Sequence, residues 1–197
     1  MAPRATRREV LRALAVAGLA TVVSGCAKRF SGTRLTIATG DTQGLYYTLG
    51  TALATVWQER LKLDHTPVAL QTAGSVANLE LLVGGEADLA FSQVDAAADQ
   101  MARHQQDAQA FTALARIYDE LVHVVVRASS PITSLDGLRG ARVSVGARDS
   151  GVLLVARRLL DVAGLDLERD LDAVQLGINE SVSALLADEI DAFFWCG

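Results

Sequence analysis

Three stretches of the sequence place glycine beside hydroxyl, amide or aromatic residues where an apolar run gives way to a helical pattern. They are residues 40–47, residues 73–78 and the pair Ser150 and Gly151. A strand that ends at such residues and continues as a helix leaves backbone N–H groups pointing out of the helix start. That end carries partial positive charge and suits a carboxylate or a phosphate. The stretches therefore predict helix N-termini gathered around a small anion.

The predicted ligand contacts come from these loops and from the end of a further strand. The candidates are Thr42, Gly44, Tyr47, Gly74, Ser75, Asn78, Gln93, Ser150 and Gly151. Tyr46 and Tyr47 point about 100° apart on a helix, and we expect Tyr47 to face the ligand. One helix end offers an anion roughly 0.3–1 kcal/mol, so several ends must converge to give useful affinity.

Each candidate also has a structural explanation. Ser75 is a natural N-cap whether or not it binds a ligand, and Gln93 could equally be a solvated loop residue. Arg148 could clamp a carboxylate or pair with Asp149 on the surface. His123 lies in an apolar strand, where a core or hinge histidine is a simpler explanation than a catalytic one.

The composition narrows the class of function. The net charge of −5 argues against a nucleic-acid groove, which needs a basic face. The sequence contains no P-loop, no G-x-G-x-x-G and no G-x-S-x-G motif, so we expect no enzyme and no cofactor. The two cysteines, Cys26 and Cys196, have no Cys or His spacing that would suggest a metal site.

The first residues have the character of an export signal. Arginines precede a short apolar run at residues 13–23, and small residues lead into Cys26. Residues 23–26 resemble a bacterial lipobox, in which Cys26 carries a lipid, and residues 6–12 resemble a twin-arginine export motif. We expect residues 1–26 to be a signal peptide and the protein to work in the periplasm or at the outer face of the cytoplasmic membrane, attached only through its lipid. An amphipathic helix with a free cysteine is the alternative.

Strand and helix patterns alternate along the remaining chain. Strands are predicted at residues 33–39, 66–72, 88–91, 121–127, 142–145, 173–176 and 190–195, with helices at 45–61, 75–83, 94–103, 151–163 and 181–186. This alternation predicts an α/β fold of open, largely parallel sheets with helices on both faces, and ligands in such sheets bind at the carboxyl ends of strands. Residues 129–131 interrupt the strand pattern, so we place the boundary between two lobes there. The first lobe is predicted at residues 27–128 and the second at 129–197. The nearly continuous apolar run at 121–126 predicts a strand covered on both faces.

Five segments, in order, resemble the TAXI family of TRAP-transporter solute receptors. They read IATG with GLYY (37–40, 44–47), TAGSVANL (72–79), GEADLAFSQVD (85–95), GARVSVG with SG (140–146, 150–151) and IDAFF (190–194). The resemblance implies a two-lobed, type II periplasmic-binding-protein-like fold that closes on a small organic anion and delivers it to a fused membrane permease. Gln43 and the Arg148-Asp149 pair depart from the family pattern, which leaves the ligand open.

Family members continue well beyond residue 197, so we expect the second lobe to be incomplete and closure-coupled binding to be weak or absent. The expected function is capture of a small carboxylate, such as glutamate or a 2-oxo acid, for a TRAP permease. An ABC-transporter receptor is the nearest alternative. An enzyme of the porphobilinogen-polymerising or prephenate-dehydrating kind, built on the same fold, is the alternative from another class, and the export signal argues against it.

Overall fold

The computed structural model describes residues 30–103 and 111–197, so the predicted signal peptide and Cys26 lie outside the described residues. In chain order the elements are β1 (Thr36–Ala38), α1 (Leu45–Leu61), β2 (Val68–Leu70), α2 (Ser75–Val83), β3 (Leu89–Ala90), α3 (Val94–Arg103), β4 (Val122–Val126), a 3₁₀ turn (Leu135–Leu138), β5 (Arg142–Ser144), α4 (Gly151–Val162), β6 (Asp172–Val174), α5 (Ile178–Leu186) and β7 (Ala192–Cys196). Within the described ranges, no helix is both long enough and apolar enough to cross a membrane.

The strands form two separate sheets. The first has the order β2-β1-β3 and is entirely parallel. The second has the order β4-β7-β5-β6, in which β5 runs parallel to both neighbours and β4 runs antiparallel to β7. The predicted α/β class with two open, largely parallel sheets is confirmed. We call residues 30–103 the first lobe, residues 111–121 the crossing segment and residues 122–197 the second lobe.

Strand β4 differs from its prediction in two ways. The break at residues 129–131 assigned it to the first lobe, but it pairs with β7 of the second sheet, with Val126 opposite Ala192. The chain therefore changes sheet before residue 122. The prediction that both faces of β4 are covered was wrong, because β4 is an edge strand whose His123 and Val124 are exposed. A run of β-branched residues predicts a strand more reliably than it predicts whether that strand is buried.

Helix α1 packs on β1 through its smallest residues. Leu45 and Val56 are apolar residues of α1, yet both are exposed. The buried positions are Gly50 and Ala54. A Cβ at Gly50 would collide with the side chain of Thr39 at the end of β1, so this glycine allows the helix backbone to lie close to the strand.

The second lobe has a larger apolar core. Leu160 of α4 packs with Val143, Val145 and Phe194 beneath the sheet, and a second cluster contains Leu185. Opposite-charge contacts reinforce the sheet ends. Arg142 of β5 donates through Nη2 to Asp191 Oδ1 at 2.7 Å, and its backbone N–H donates to Oδ2 of the same carboxylate at 2.8 Å. These contacts tie the start of β5 to the start of β7.

Candidate functional site

A cleft of about 110 Å³ lies between the two lobes. Its walls come from the loops that follow β1, β2, β3, β5 and β6, from the end of β7, and from the crossing segment. Each parallel strand that lines the cleft does so at its carboxyl end. Open α/β sheets bind ligands at these strand ends. The N-terminal ends of four helices, α1, α2, α4 and α5, therefore reach the same space.

The starts of α2 and α4 face each other across the cleft. Gly74, the N-cap of α2, has φ of +124°, a conformation that favours glycine. A Cβ on Gly74 would lie 3.6 Å from Ser150 Cα, and a Cβ on Gly151 would lie 2.7 Å from Ser75 Oγ. The backbone N–H of Ala77 donates to the carbonyl of Asp149 at 3.1 Å. The two lobes are thus in direct contact at these glycines.

The hydroxyl residues at the helix starts have distinct roles. Ser150 is an N-cap, since its Oγ accepts the N–H of Leu153 at 3.1 Å. The prediction that Ser75 is an N-cap was wrong, because Gly74 occupies that position and Ser75 is the first residue of α2. Ser75 Oγ instead accepts the backbone N–H of Gln93 at 3.1 Å. It therefore links the start of α2 to the loop between β3 and α3.

Gln93 bridges the helix start and the crossing segment. Its side-chain Nε2 donates to Glu120 Oε2. Its Oε1 is buried and has no hydrogen-bond partner among the described residues. A Cβ on Gly151 would collide with this amide, so Gln93 also reaches the N-terminus of α4.

Two tyrosines surround the same carboxylate. The Tyr118 hydroxyl donates to Glu120 Oε1 at 2.8 Å, and the Tyr46 hydroxyl lies near Glu120 and Ser75. Burial raises the pKa of both tyrosines well above the ordinary value, and the hydrogen bond to Glu120 raises it further. Both hydroxyls therefore remain protonated donors at neutral pH. Tyr46 also stacks on Phe91, with ring centroids 5.4 Å apart.

The structure brings six of the predicted contacts to the cleft: Gly44, Gly74, Ser75, Gln93, Ser150 and Gly151. Thr42 is exposed, and neither it nor Tyr47 lines the cleft. Tyr46 takes the place expected of Tyr47. Because α1 begins at Leu45, its first turn directs Tyr46 towards Phe91 and the crossing segment.

Asn78 supports the cleft without lining it. Its side chain is fully buried and its Nδ2 donates to the carbonyls of Thr39 and Phe91, the latter at 2.8 Å. Its Oδ1 accepts the hydroxyl of Thr72 at 2.5 Å. One amide thus ties together the three loops that follow β1, β2 and β3. These are the loops from which the first lobe reaches the cleft.

The sequence prediction missed several residues of the lining, of which Asp41, Tyr118, Glu120, Gly146, Gly177, Trp195 and Cys196 are the most informative. Asp41 follows Gly40 directly, and its proximity to a predicted helix start was the available signal. Tyr118 and Glu120 lie in a segment without regular structure, where no periodicity marks a direction. Their position immediately before a predicted strand was the only indication.

Charge in the cleft is uneven. Asp41 and Glu120 are its two carboxylates, and no Lys, Arg or His is among the described lining residues. Arg148, once a candidate carboxylate clamp, is exposed and does not line the cleft. A Cβ on Gly177, the N-cap of α5, would lie 3.6 Å from Asp41 Oδ2. Positive potential in the described cleft therefore comes from helix ends and not from basic side chains.

A second contact joins the lobes beside the cleft. Arg158 of α4 donates to Asp95 Oδ2 at 2.7 Å and to the two carboxylate oxygens of Asp99 at 2.7 and 2.8 Å. Both aspartates belong to α3 of the first lobe. The described residues contain no group of three or more His, Cys, Asp or Glu residues suited to a metal ion. Burial raises the pKa of the Cys196 thiol to about 11, so this thiol stays protonated at neutral pH.

Comparison with known proteins identifies related sequences and folds. The model of the NMT1-like family matches residues 37–197. The alkanesulfonate-binding protein SsuA from Xanthomonas axonopodis pv. citri, bound to MOPS, is similar over 83% of this chain and 54% of its own, with 18% identity and a TM-score of 0.55. The cysteine-binding protein from Campylobacter jejuni is similar over 82% and 63%, with 13% identity and a TM-score of 0.56.

A third structure is an amino acid ABC transporter substrate-binding protein, AbpA from Streptococcus pneumoniae, bound to L-arginine. It is similar over 83% of this chain and 68% of its own, with 17% identity and a TM-score of 0.54. The chain spans about half the length of the sulfonate-binding structures. At these identities the likeness shows the fold, so the predicted two-lobed, periplasmic-binding-protein-like fold is confirmed.

Proposed function

The chain belongs to the NMT1-like family, and on that premise we propose that it is a solute-binding protein that captures a small ligand for a membrane transporter. The observation that carries this proposal is the interlobe cleft. Four helix N-termini from two lobes open into it at the carboxyl ends of the strands. The names of the matched structures support the same class of function, since each is called a binding protein.

We propose a small organic acid as the ligand. The converging helix ends favour a carboxylate. A group the size of a water molecule needs roughly 10–15 Å³ of cavity volume, so the cleft has room for on the order of ten such groups. That size suits a metabolite of low mass better than a sugar polymer or a peptide.

Two kinds of transporter partner are compatible with this cleft. The matched structures whose names include ABC transporters favour an ABC permease. The five sequence segments that resemble TAXI receptors favour a TRAP permease. The neighbouring genes separate the two candidates, because an ATPase beside the gene supports the ABC partner and a fused multi-helix permease supports the TRAP partner.

We propose a location in the periplasm or at the outer face of the cytoplasmic membrane, with Cys26 as the lipid attachment site. The arginine-rich start and the residues around Cys26 support this proposal. Labelling with radioactive palmitate in the bacterial host tests it. The wild-type protein should incorporate label into the membrane fraction and Cys26→Ser should not. Equal labelling of both proteins would exclude Cys26 as the site.

A thermal-shift screen tests the ligand class. The 197-residue chain is mixed with small organic acids, neutral sugars and nucleobases at millimolar concentration. One acid should stabilise the protein saturably, because a ligand at 100 times its Kd contributes about 2.7 kcal/mol. Stabilisation by sugars alone would contradict the acid ligand. Chemical turnover of a bound acid would contradict the binding-protein class and favour an enzyme.

A further inference from the structure

We propose that the ligand carries a cationic ammonium group, held by Glu120, in addition to its carboxylate. The cleft then selects an amino acid over an acid that has no positive group. This inference rests on the proposed solute-binding function and narrows its ligand class.

Glu120 is a half-buried carboxylate whose two oxygens accept hydrogen bonds from other residues of the cleft. Gln93 Nε2 donates to its Oε2 and the Tyr118 hydroxyl donates to its Oε1. A carboxylate has about four acceptor positions, so these donors leave at least one position unfilled. Both donors are neutral, so they order the carboxylate without supplying an opposite charge. A buried carboxylate is costly unless it is paired with a positive group.

No basic side chain of the described lining supplies that pairing. The lining contains the carboxylates of Glu120 and Asp41 and no Lys, Arg or His. A ligand that is only an anion would meet a like charge at Glu120, which disfavours its binding. A ligand ammonium would meet an opposite charge and would occupy the remaining acceptor position.

The amide of Gln93 fixes the orientation of this carboxylate. Its Nε2 donates to Glu120 Oε2, so its Oε1 is the acceptor end of the amide. That oxygen is buried without a donor among the described residues, and a Cβ on Gly151 would collide with it, so it packs against the start of α4. The group left to pair with a ligand is therefore Glu120, which an ammonium can satisfy and a carboxylate, having no donor, cannot.

One residue of the cleft contacts both subsites. The backbone N–H of Gln93 donates to Ser75 at the start of α2, while its side chain donates to Glu120. The helix N-terminus and the carboxylate are therefore neighbours on the two sides of Gln93. The α-carboxylate and α-ammonium of an amino acid are attached to one carbon, so the first group can lie at the start of α2 and the second beside Glu120.

Matched ligand pairs test the proposal on the whole chain. Calorimetric titrations compare common L-amino acids with the corresponding 2-oxo acids and with N-acetyl amino acids, which keep the carboxylate and lose the positive charge. We expect one amino acid to bind about tenfold or more tightly than its 2-oxo and N-acetyl counterparts, the effect of one charge-assisted hydrogen bond. Equal or tighter binding of a 2-oxo acid would overturn the proposal and leave the solute-binding function intact. Binding of no acid of any kind would overturn both.

The variant Glu120→Gln tests the residue itself. It keeps the size of the side chain and removes its charge, so the preference for the amino acid should fall about tenfold while affinity for the 2-oxo acid stays equal or rises. The matched control is Asp119→Asn, because Asp119 is the exposed neighbour in the same segment and pairs with Arg116. An unchanged preference in folded Glu120→Gln would exclude Glu120. If that variant does not fold, the ligand-pair comparison on the wild-type chain still decides the ligand class.

Discussion

The two lobes hold the cleft in different ways. The buried apolar residues of the first lobe are few and mostly small, and four of them are Ala38, Ala54, Ala87 and Ala96. The second lobe buries leucine, valine and phenylalanine side chains in two clusters. The loops of the first lobe are instead tied by the buried amide of Asn78. The second lobe is stabilised mainly by apolar burial, and the first depends more on a polar network.

The lobes also contribute different chemistry to the ligand. The first lobe and the crossing segment supply the polar side chains of Tyr46, Gln93 and Glu120. The second lobe supplies mainly backbone at the helix starts marked by Gly151 and Gly177. Backbone N–H groups attract any anion, whereas directed side chains discriminate among ligands. Because the starts of α1 and α2 in the first lobe also reach the cleft, we infer that general affinity for an anion comes from both lobes and that specificity comes largely from the first.

The single substitution expected to lower the free energy of unfolding most is in the core of the second lobe. Leu160 is fully buried, and Leu160→Ala should lower the free energy of unfolding by about 2–5 kcal/mol, since it leaves a cavity. Leu79→Ala is the matched change in the first lobe, where smaller neighbours provide less packing to lose. Urea unfolding of both variants measures the difference. A larger loss for Leu79→Ala would contradict the contrast between the cores.

The next largest effect concerns the polar network of the first lobe. Asn78→Ala removes the donor to two backbone carbonyls, and each unsatisfied buried group costs about 1–3 kcal/mol. We expect a loss of about 2–4 kcal/mol in the free energy of unfolding, together with weaker ligand binding. The exposed Asn179 of α5 provides the control variant Asn179→Ala. Equal stability of the two variants would show that the network does not hold the first lobe.

Much of this arrangement follows from the sequence. The bounds of α1 match the prediction residue for residue, and glycine and serine marked the starts of α2 and α4. The rotation of α1 did not follow, because two adjacent tyrosines carry no signal for which one faces inward. Glu120 could not be predicted either. Its direction is set by contacts with Gln93 and Tyr118 across the fold and not by any local periodicity.

A smaller loss of stability is expected where ion pairs join the two lobes. Arg158→Gln removes the contacts with Asp95 and Asp99, and partly exposed ion pairs contribute about 0.2–1 kcal/mol. The control is Arg157→Gln, whose partner Glu168 lies in the same lobe. Unfolding measured at low salt should show the loss for Arg158→Gln, and about 1 M salt should largely abolish it. A loss that persists unchanged at high salt would contradict an electrostatic link.

The smallest effect is a pH dependence within the second lobe. The hydrogen bonds from Arg142 hold the pKa of Asp191 below its usual value. A carboxyl whose pKa is lowered by folding contributes stability above its unfolded pKa of about 3.9, and that contribution is lost as pH falls through its folded value. Asp191→Asn should therefore flatten the stability profile below about pH 4. An identical acid profile for wild type and variant would exclude this contribution.

Calorimetric titration of three proteins with the acid found by screening tests the interlobe cleft most directly. The side chain of a valine at position 151 would collide with Gln93 and Ser75. Gly151→Val should therefore abolish binding while circular dichroism shows the fold intact. Val162 is exposed on the last turn of the same helix, so Val162→Ser should bind like the wild type. Saturable binding to the wild type and Val162→Ser, lost in Gly151→Val, is the predicted result. Undiminished binding to folded Gly151→Val would contradict the assignment of the ligand to this cleft.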